Sequence, residues 1–243
     1  ASANLFNDYF DVRSGVDTIE VSTARYRPHP LAEGSLKPRD VLLEALVFLV
    51  IASSSGFYLA ATRGLPVLWI SLAAAFALLF YTAPPFKYKY KALGEISAFL
   101  MWGPLMVEGA YFVQSKSFSM DALLVSVPLG ILVALVLLAN NIRDTRDDAR
   151  MGIKTVPILA GRKRGIWIYV LLVAAAYISV ILMSLLGPLS PWSLVVLVSV
   201  PLFIRLLRQI IKAPPPDADA RTAQLNTAFG ILLLLSIFIE KIL

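Results

Sequence analysis

Seven stretches of this 243-residue chain are long and apolar enough to cross a bilayer, and that restricts the fold more than any other feature. They run Val41 to Thr62, Leu65 to Thr82, Ala92 to Gln114, Asp121 to Ala139, Ile166 to Gly187, Trp192 to Ile211 and Thr222 to Leu243. A span takes about 20 residues of helix, because in hydrocarbon only the helix itself satisfies its backbone N–H and C=O groups. The composition agrees: 58% of residues are hydrophobic, 16% are charged, and the mean hydropathy is +0.75, far from a soluble domain. The runs are apolar all round rather than striped, unlike the helices of a soluble bundle. The expected fold is an all-α polytopic transmembrane bundle in a lipid bilayer, a single domain over residues 1–243.

The net charge of +6 would suit a nucleic-acid partner if the cations were scattered. They are not. When the runs are traced alternately across the bilayer, 19 of the 22 Lys and Arg fall in loops on one face, leaving Arg63, Lys116 and Lys241 on the other. That is the positive-inside pattern, which puts the basic face in the cytoplasm of a multi-pass protein of the cell membrane. Topology and anionic lipid account for the excess, and no nucleic acid is called for. Cysteine is absent, which excludes disulfides and thiolate metal sites.

The chemistry is concentrated in Asn140 to Gly161, NNIRDTRDDARMGIKTVPILAG. If the preceding apolar run continues as helix, Asn140, Asp144 and Asp148 share one stripe at i, i+4 and i+8. Carboxylates so placed repel each other unless something positive lies between them, and a hard divalent cation with oxygen ligands is the common solution. Arg143, Arg146, Arg150 and Lys154 surround them, which suits an anion bridged by metal and held by cations. Taken alone, the stretch is equally well a solvated loop with surface ion pairs. A second copy argues otherwise: in NDYFDVRSGVD, Asn7 and Asp11 stand four apart, with Asp8 beside them, a helix-breaking Gly15, and Asp17 beyond it. A third segment on the same face, YTAPPFKYKYKALGE from Tyr81, alternates Lys and Tyr. These residues either form an aromatic belt with snorkelling lysines or reach the same anion from another side. His29, between prolines in the loop Arg25 to Arg39, reads as a solvated or packing residue. The loop KAPPPDADAR from Lys212 reads as a mobile linker, and Gly103-Pro104 as a kink or close helix contact. An ion-coupled transporter is the rival class, but its acids belong near mid-membrane rather than at helix ends.

Together, NDYFDVRSGVD, NNIRDTRDDARMGIKT and FKYKYKALGE resemble the UbiA-type intramembrane aromatic prenyltransferases, and within them most of all the menaquinone branch that acts on 1,4-dihydroxy-2-naphthoate. The segment RPHPLAEGSL is similar to that family's Arg-Pro-x-Pro segment. The resemblance implies nine helices, so that one or two would precede residue 1, and magnesium-dependent transfer from a polyprenyl diphosphate to an aromatic acceptor. It implies Asp11, Asp17, Asp144 and Asp148 as Mg²⁺ ligands, and Asn7 and Asn140 or Asn141 as companions in the diphosphate site. Lys89, Arg143 and Lys154 would neutralise the leaving diphosphate, Lys89, Arg143 and Asp144 being the catalytic set, and Tyr81 would lie near the allylic carbon. Other implied acceptors are 4-hydroxybenzoate, homogentisate, chlorophyllide and haem precursors.

Overall fold

A computed structural model describes residues 1–19 and 28–242, so the start of the Arg25 to Arg39 loop lies outside the described residues. Within them the chain is helical: α1 (Ser2–Arg13), α2 (Pro38–Arg63), α3 (Leu65–Phe80), α4 (Gly94–Ser115), α5 (Met120–Arg150), the short α6 (Val156–Ala160), α7 (Arg162–Leu186), α8 (Pro191–Lys212) and α9 (Ala218–Ile242). Six of these are long and apolar enough to cross a membrane. The seventh expected span, α3, is apolar but only 16 residues long, ending in a turn at Tyr81 and Thr82.

The expected continuation of the fourth apolar run is present. Helix α5 is 31 residues long, or about 46 Å at the helical rise, against a hydrocarbon core of about 30 Å. Its apolar part, Met120 to Ala139, is by itself about as long as that core is thick, and Asn140 to Arg150 continue the same helix past it.

The core lies between α5, α7, α8 and α9, where Leu132, Leu135, Val173, Val180, Val196 and Phe229 are fully or almost fully buried. Tyr169 bonds Thr222 Oγ1 at 3.1 Å and Tyr177 bonds Ser199 Oγ at 2.7 Å, tying α7 to α9 and α8. In lipid such hydrogen bonds and close packing hold helices together, since apolar contact with a neighbour gains little over contact with acyl chains. The first nine residues of α8, Pro191–Ser199, wind as a 3-10 helix. Its three-residue period puts Ser193, Val196 and Ser199 on one buried line. Large apolar side chains of α2 and α3, among them Val47, Phe57 and Trp69, face outward to lipid.

Gly103 gives the close helix contact, a tight crossing of α4 on α5, and Gly103 and Pro104 lie in a π-helical segment at Met101–Leu105. A methyl group on Gly130 would come within 2.7 Å of the Phe99 carbonyl oxygen and 3.0 Å of Gly103 Cα. Backbone cannot yield as a side-chain tip can. Gly130→Ala is therefore expected to destabilise the bundle by about 1–3 kcal/mol, measured by thermal unfolding in detergent. Gly230→Ala, which meets nothing within 4 Å, should leave stability unchanged or raise it.

Candidate active site

Helix α1 carries Asn7 and Asp11 one turn apart and stops at Gly15, whose φ of 75° ends the helix as expected. The chain then folds back, with the Val16 and Asp17 amides donating to the Asp11 carbonyl at 2.8 and 3.1 Å. Asp17 is thereby returned to the helix end that carries Asp11.

Asp11 is almost completely buried, 2% exposed, with both carboxylate oxygens engaged. Lys89 Nζ donates to Oδ2 at 2.6 Å and the Tyr90 hydroxyl donates to Oδ1. The Lys89 ammonium also lies 5.8 and 5.7 Å from the ring centres of Tyr81 and Tyr90, within cation–π range. Burial alone would lower the lysine pKa, but Asp11 and the two phenols outweigh it and raise it, so the ammonium stays charged. Burial pushes the Tyr81 phenol up to about 12, although Lys89 pulls it down.

The lysine is held by an unusual loop. Lys87 and Ala92, at φ of 44° and 57°, are left-handed residues bracketing the single 3-10 turn Tyr88–Tyr90. Non-glycine residues keep such angles only when their surroundings fix them. Here Tyr88 Oη donates to the Ala77 carbonyl at 2.6 Å and bonds Ser97 Oγ at 2.9 Å. The Ala92 amide donates to the Lys154 carbonyl at 2.8 Å, and the Lys154 amide to the Tyr90 carbonyl at 3.2 Å. The loop is thus bridged to the segment following the acidic end of α5, and the Lys154 side chain remains exposed.

At that end of α5, Arg143 grips Asp144 with two donors, Nε to Oδ1 and Nη2 to Oδ2, both at 2.7 Å. It also donates to Asn140 Oδ1 at 2.5 Å, the Pro216 carbonyl at 2.8 Å and Asp219 Oδ1 at 2.9 Å. The side chain is only 3% exposed, with its donors occupied by protein. Residues Pro216 and Asp219 come from the stretch read as a mobile linker; instead α9 begins at Ala218 and closes it onto Arg143. The two asparagines part company: Asn140 sits on the Arg143 side, whereas Asn141 is buried and donates to Glu95 Oε1 of α4 at 2.8 Å. Arg146 and Arg150 are exposed, the latter in a 3.6 Å surface pair with Asp147, a contact of little energetic weight.

The two acidic helix ends meet. Asp148 lies within the electrostatic reach of Lys89 and Arg143 and beside Asp144, while Lys89 is bonded to Asp11 and acts on Asp17. A side chain on Gly15 would touch Met151 Cε at 3.9 Å, so the turn after α1 abuts the turn after α5.

His29 is the residue that sequence reasoning underrated. It is buried, 5% exposed, and its Nε2 lies 3.2 Å from Asp17 Oδ2. Nδ1 accepts the Ala32 amide at 3.2 Å, which assigns the proton of the neutral ring to Nε2 and makes the imidazole a donor to Asp17. Ligand atoms of Asp8, Asp17 and His29 lie within 4.8 Å of one another. Burial, then the neighbouring Asp11, raises the Asp17 pKa, with Lys89 and His29 opposing. Asn7 Oδ1 is buried without a hydrogen-bond partner. An orphaned amide oxygen one turn before Asp11, on the helix that also carries Asp8, fits a hard divalent cation. Because His29 donates through Nε2, it orients Asp17 rather than ligating.

From Asn7 and Tyr81 a cavity of about 510 Å³ runs between α1, α3 and α4, lined further along by Ile70, Ala74, Trp102 and Met106. Its lining is mostly apolar, with Asn7, Tyr81, Tyr88 and Ser97 among the polar members, and Tyr81 is one of the two rings that Lys89 approaches.

Comparison with known proteins places this geometry. The family model described as the UbiA prenyltransferase family matches residues 1–235. The chain is 33% identical to 1,4-dihydroxy-2-naphthoate octaprenyltransferase of Bacillus subtilis (strain 168), over 98% of this chain and 77% of that protein. It is 30% identical to 2-carboxy-1,4-naphthoquinone phytyltransferase of Synechocystis, over 85% of this chain and 66% of that protein. It is 26% identical to UbiA prenyltransferase domain-containing protein 1 of Gallus gallus, over 98% and 70%. A solved structure described as "Structural and mechanistic insights into the biosynthesis of Digeranylgeranylglyceryl phosphate synthase in membranes" shares the fold, with a TM-score of 0.57 at 19% identity over 98% of this chain and 80% of that one. The chain belongs to the UbiA prenyltransferase family and is a multi-pass membrane prenyltransferase.

Proposed function

We propose that the protein transfers a polyprenyl group from its diphosphate to 1,4-dihydroxy-2-naphthoate, with Mg²⁺, at the cytoplasmic face of the cell membrane, as a step of menaquinone synthesis. The observation that carries this reading is the meeting of two acidic helix ends around Lys89, which lies against Tyr81 in the wall of a largely apolar cavity. The identity to naphthoate prenyltransferases supports the acceptor, and the one-sided distribution of Lys and Arg supports the orientation.

Asn7, Asp11 and Asp17 from one end, and Asp144 and Asp148 from the other, are the residues that would hold the metal. When bound, magnesium supplies positive charge for the oxygens of the departing diphosphate. The chain's own residues do the rest. Lys89 spends one of its three N–H donors on Asp11 and has others for the leaving group, placed where negative charge grows. Arg143 fixes Asp144 on the α5 stripe, with Asn140 and Asp219 holding the guanidinium from behind. Tyr81 and Asn7 line the cavity, Tyr81 beside Lys89, the position expected for the allylic carbon. The prenyl chain lies against Ile70, Trp102 and Met106, because leaving lipid would cost it about 0.8 kcal/mol per CH₂. Residues 1–243 work as one transmembrane domain, in which the allylic cation meets the electron-rich ring away from bulk water.

The test uses membranes carrying the protein, a labelled polyprenyl diphosphate, the naphthoate and Mg²⁺. Lys89→Ala and Asp144→Ala, at matched protein level, should each lower transfer by at least about 100-fold; unchanged turnover in both would refute the assigned roles. Chelation of divalent cations should abolish transfer and added Mg²⁺ restore it, whereas activity that persists in excess chelator removes the metal from the account. His29→Phe should raise the Mg²⁺ concentration for half-maximal activity about 10- to 100-fold, with a smaller rise for His29→Gln, which keeps an N–H donor; an unaltered Mg²⁺ requirement in His29→Phe would contradict the role given to that residue.

A further inference from the structure

A second polar cavity, of about 330 Å³, opens between α8 and α9. Its walls carry Arg205, Gln209, Asp217, Arg221 and Gln224 over an apolar floor that includes Leu206. It lies at the same end of the bundle as the acidic site, since Asp217 stands between Pro216 and Asp219, both bonded to Arg143. No bond joins its residues to Lys89, Asp11 or Asp144.

Arg205 is the unusual member. It is exposed on a membrane-crossing helix, about 10 Å short of the helix end at Lys212, with Leu202 and Ile204 49% and 42% exposed beside it. Among the described residues it has neither an ion-pair nor a hydrogen-bond partner. A guanidinium cannot discharge itself by losing a proton, so next to lipid it must reach water or meet an anion. The cavity beside it has an unbalanced charge. Arg221 donates to Asp217 Oδ1 at 2.8 Å and to Gln209 Oε1 at 2.9 Å, so the single carboxylate is already matched. Arg205 then leaves the walls with a net positive charge, beside Gln209, whose amide oxygen already accepts from Arg221. An unmatched guanidinium within about 10 Å of the end of a membrane-crossing helix, bordered by exposed leucine and isoleucine, is complementary to one ligand chemistry.

We propose that this cavity binds the headgroup phosphate of an anionic phospholipid, with Arg205 on the phosphate and the acyl chains along Leu202 and Ile204. The inference rests on the membrane fold and is independent of the acceptor and donor assigned above.

Native mass spectrometry of the detergent-purified protein, titrated with phosphatidylglycerol, phosphatidylcholine or inorganic phosphate, tests it. The wild type should retain phosphatidylglycerol over phosphatidylcholine. Arg205→Gln should weaken that binding about tenfold, the scale of one charge-assisted contact, and Arg205→Lys should weaken it less. Arg208→Gln removes an exposed cation of the same helix that lies outside the cavity walls, and should leave the binding intact. Equal retention of phosphatidylcholine, no loss in Arg205→Gln, or an equal loss in Arg208→Gln would overturn the site. Displacement of phosphatidylglycerol by inorganic phosphate would overturn its assignment to lipid.

Discussion

The buried pair between Lys89 and Asp11 is the contact on which the rest of the site depends. Placing a carboxylate at 2% exposure is costly, and it is tolerated because an ammonium and a phenol satisfy both its oxygens. Removing either charged partner would strand the other, at about 3–5 kcal/mol by comparison with other buried pairs. Such a pair adds little to stability relative to an apolar replacement; what it adds is position. It fastens a strained loop to the end of α1, and the same loop is bridged through Ala92 and Lys154 to the segment following α5. One cation therefore brings three distant parts of the chain to one place.

The second acidic end is organised differently. Arg143 divides its donors between Asp144, Asn140, the Pro216 carbonyl and Asp219, so α5 and α9 are locked through a single guanidinium. A planar fork suits this task, and a lysine could not replace it. The consequence is a difference between residues of like charge: Lys89 has donors to spare beyond Asp11, whereas Arg143 commits its fork to holding a carboxylate. His29 does for Asp17 what Arg143 does for Asp144, through a neutral N–H donor. Both carboxylates are oriented from behind, which leaves their arrangement set before any ligand arrives.

The membrane helices were legible in the chain because hydrocarbon imposes length and apolarity directly on sequence; α3 alone falls short, ending at Phe80 rather than Thr82. The stripe of Asn140, Asp144 and Asp148 was legible because helical periodicity is local and α5 does continue to Arg150. Local signals could not choose between Asn140 and Asn141, since that depends on Glu95, 46 residues earlier. The same limit hid His29 and Asp219. A histidine between prolines read as solvated or packing and an aspartate in a proline-rich loop read as part of a mobile linker, and only contacts across the fold, to Asp17 and Arg143, show what each one holds. Lys154 and Arg143 show the converse: positive charge near a motif says nothing of whether the side chain is exposed or already occupied.

Convergence of the two acidic helix ends is the central claim, and the absence of native cysteine allows it to be measured cleanly. Gly15→Cys and Met151→Cys, introduced together where a Gly15 side chain would lie 3.9 Å from the Met151 tip, should be joined within one chain by a short bifunctional thiol reagent in native membranes. Cross-linking should be as efficient as that of a control pair one turn apart on α5. No intramolecular product from the 15/151 pair, with the control pair joined, would place the two ends apart and contradict it.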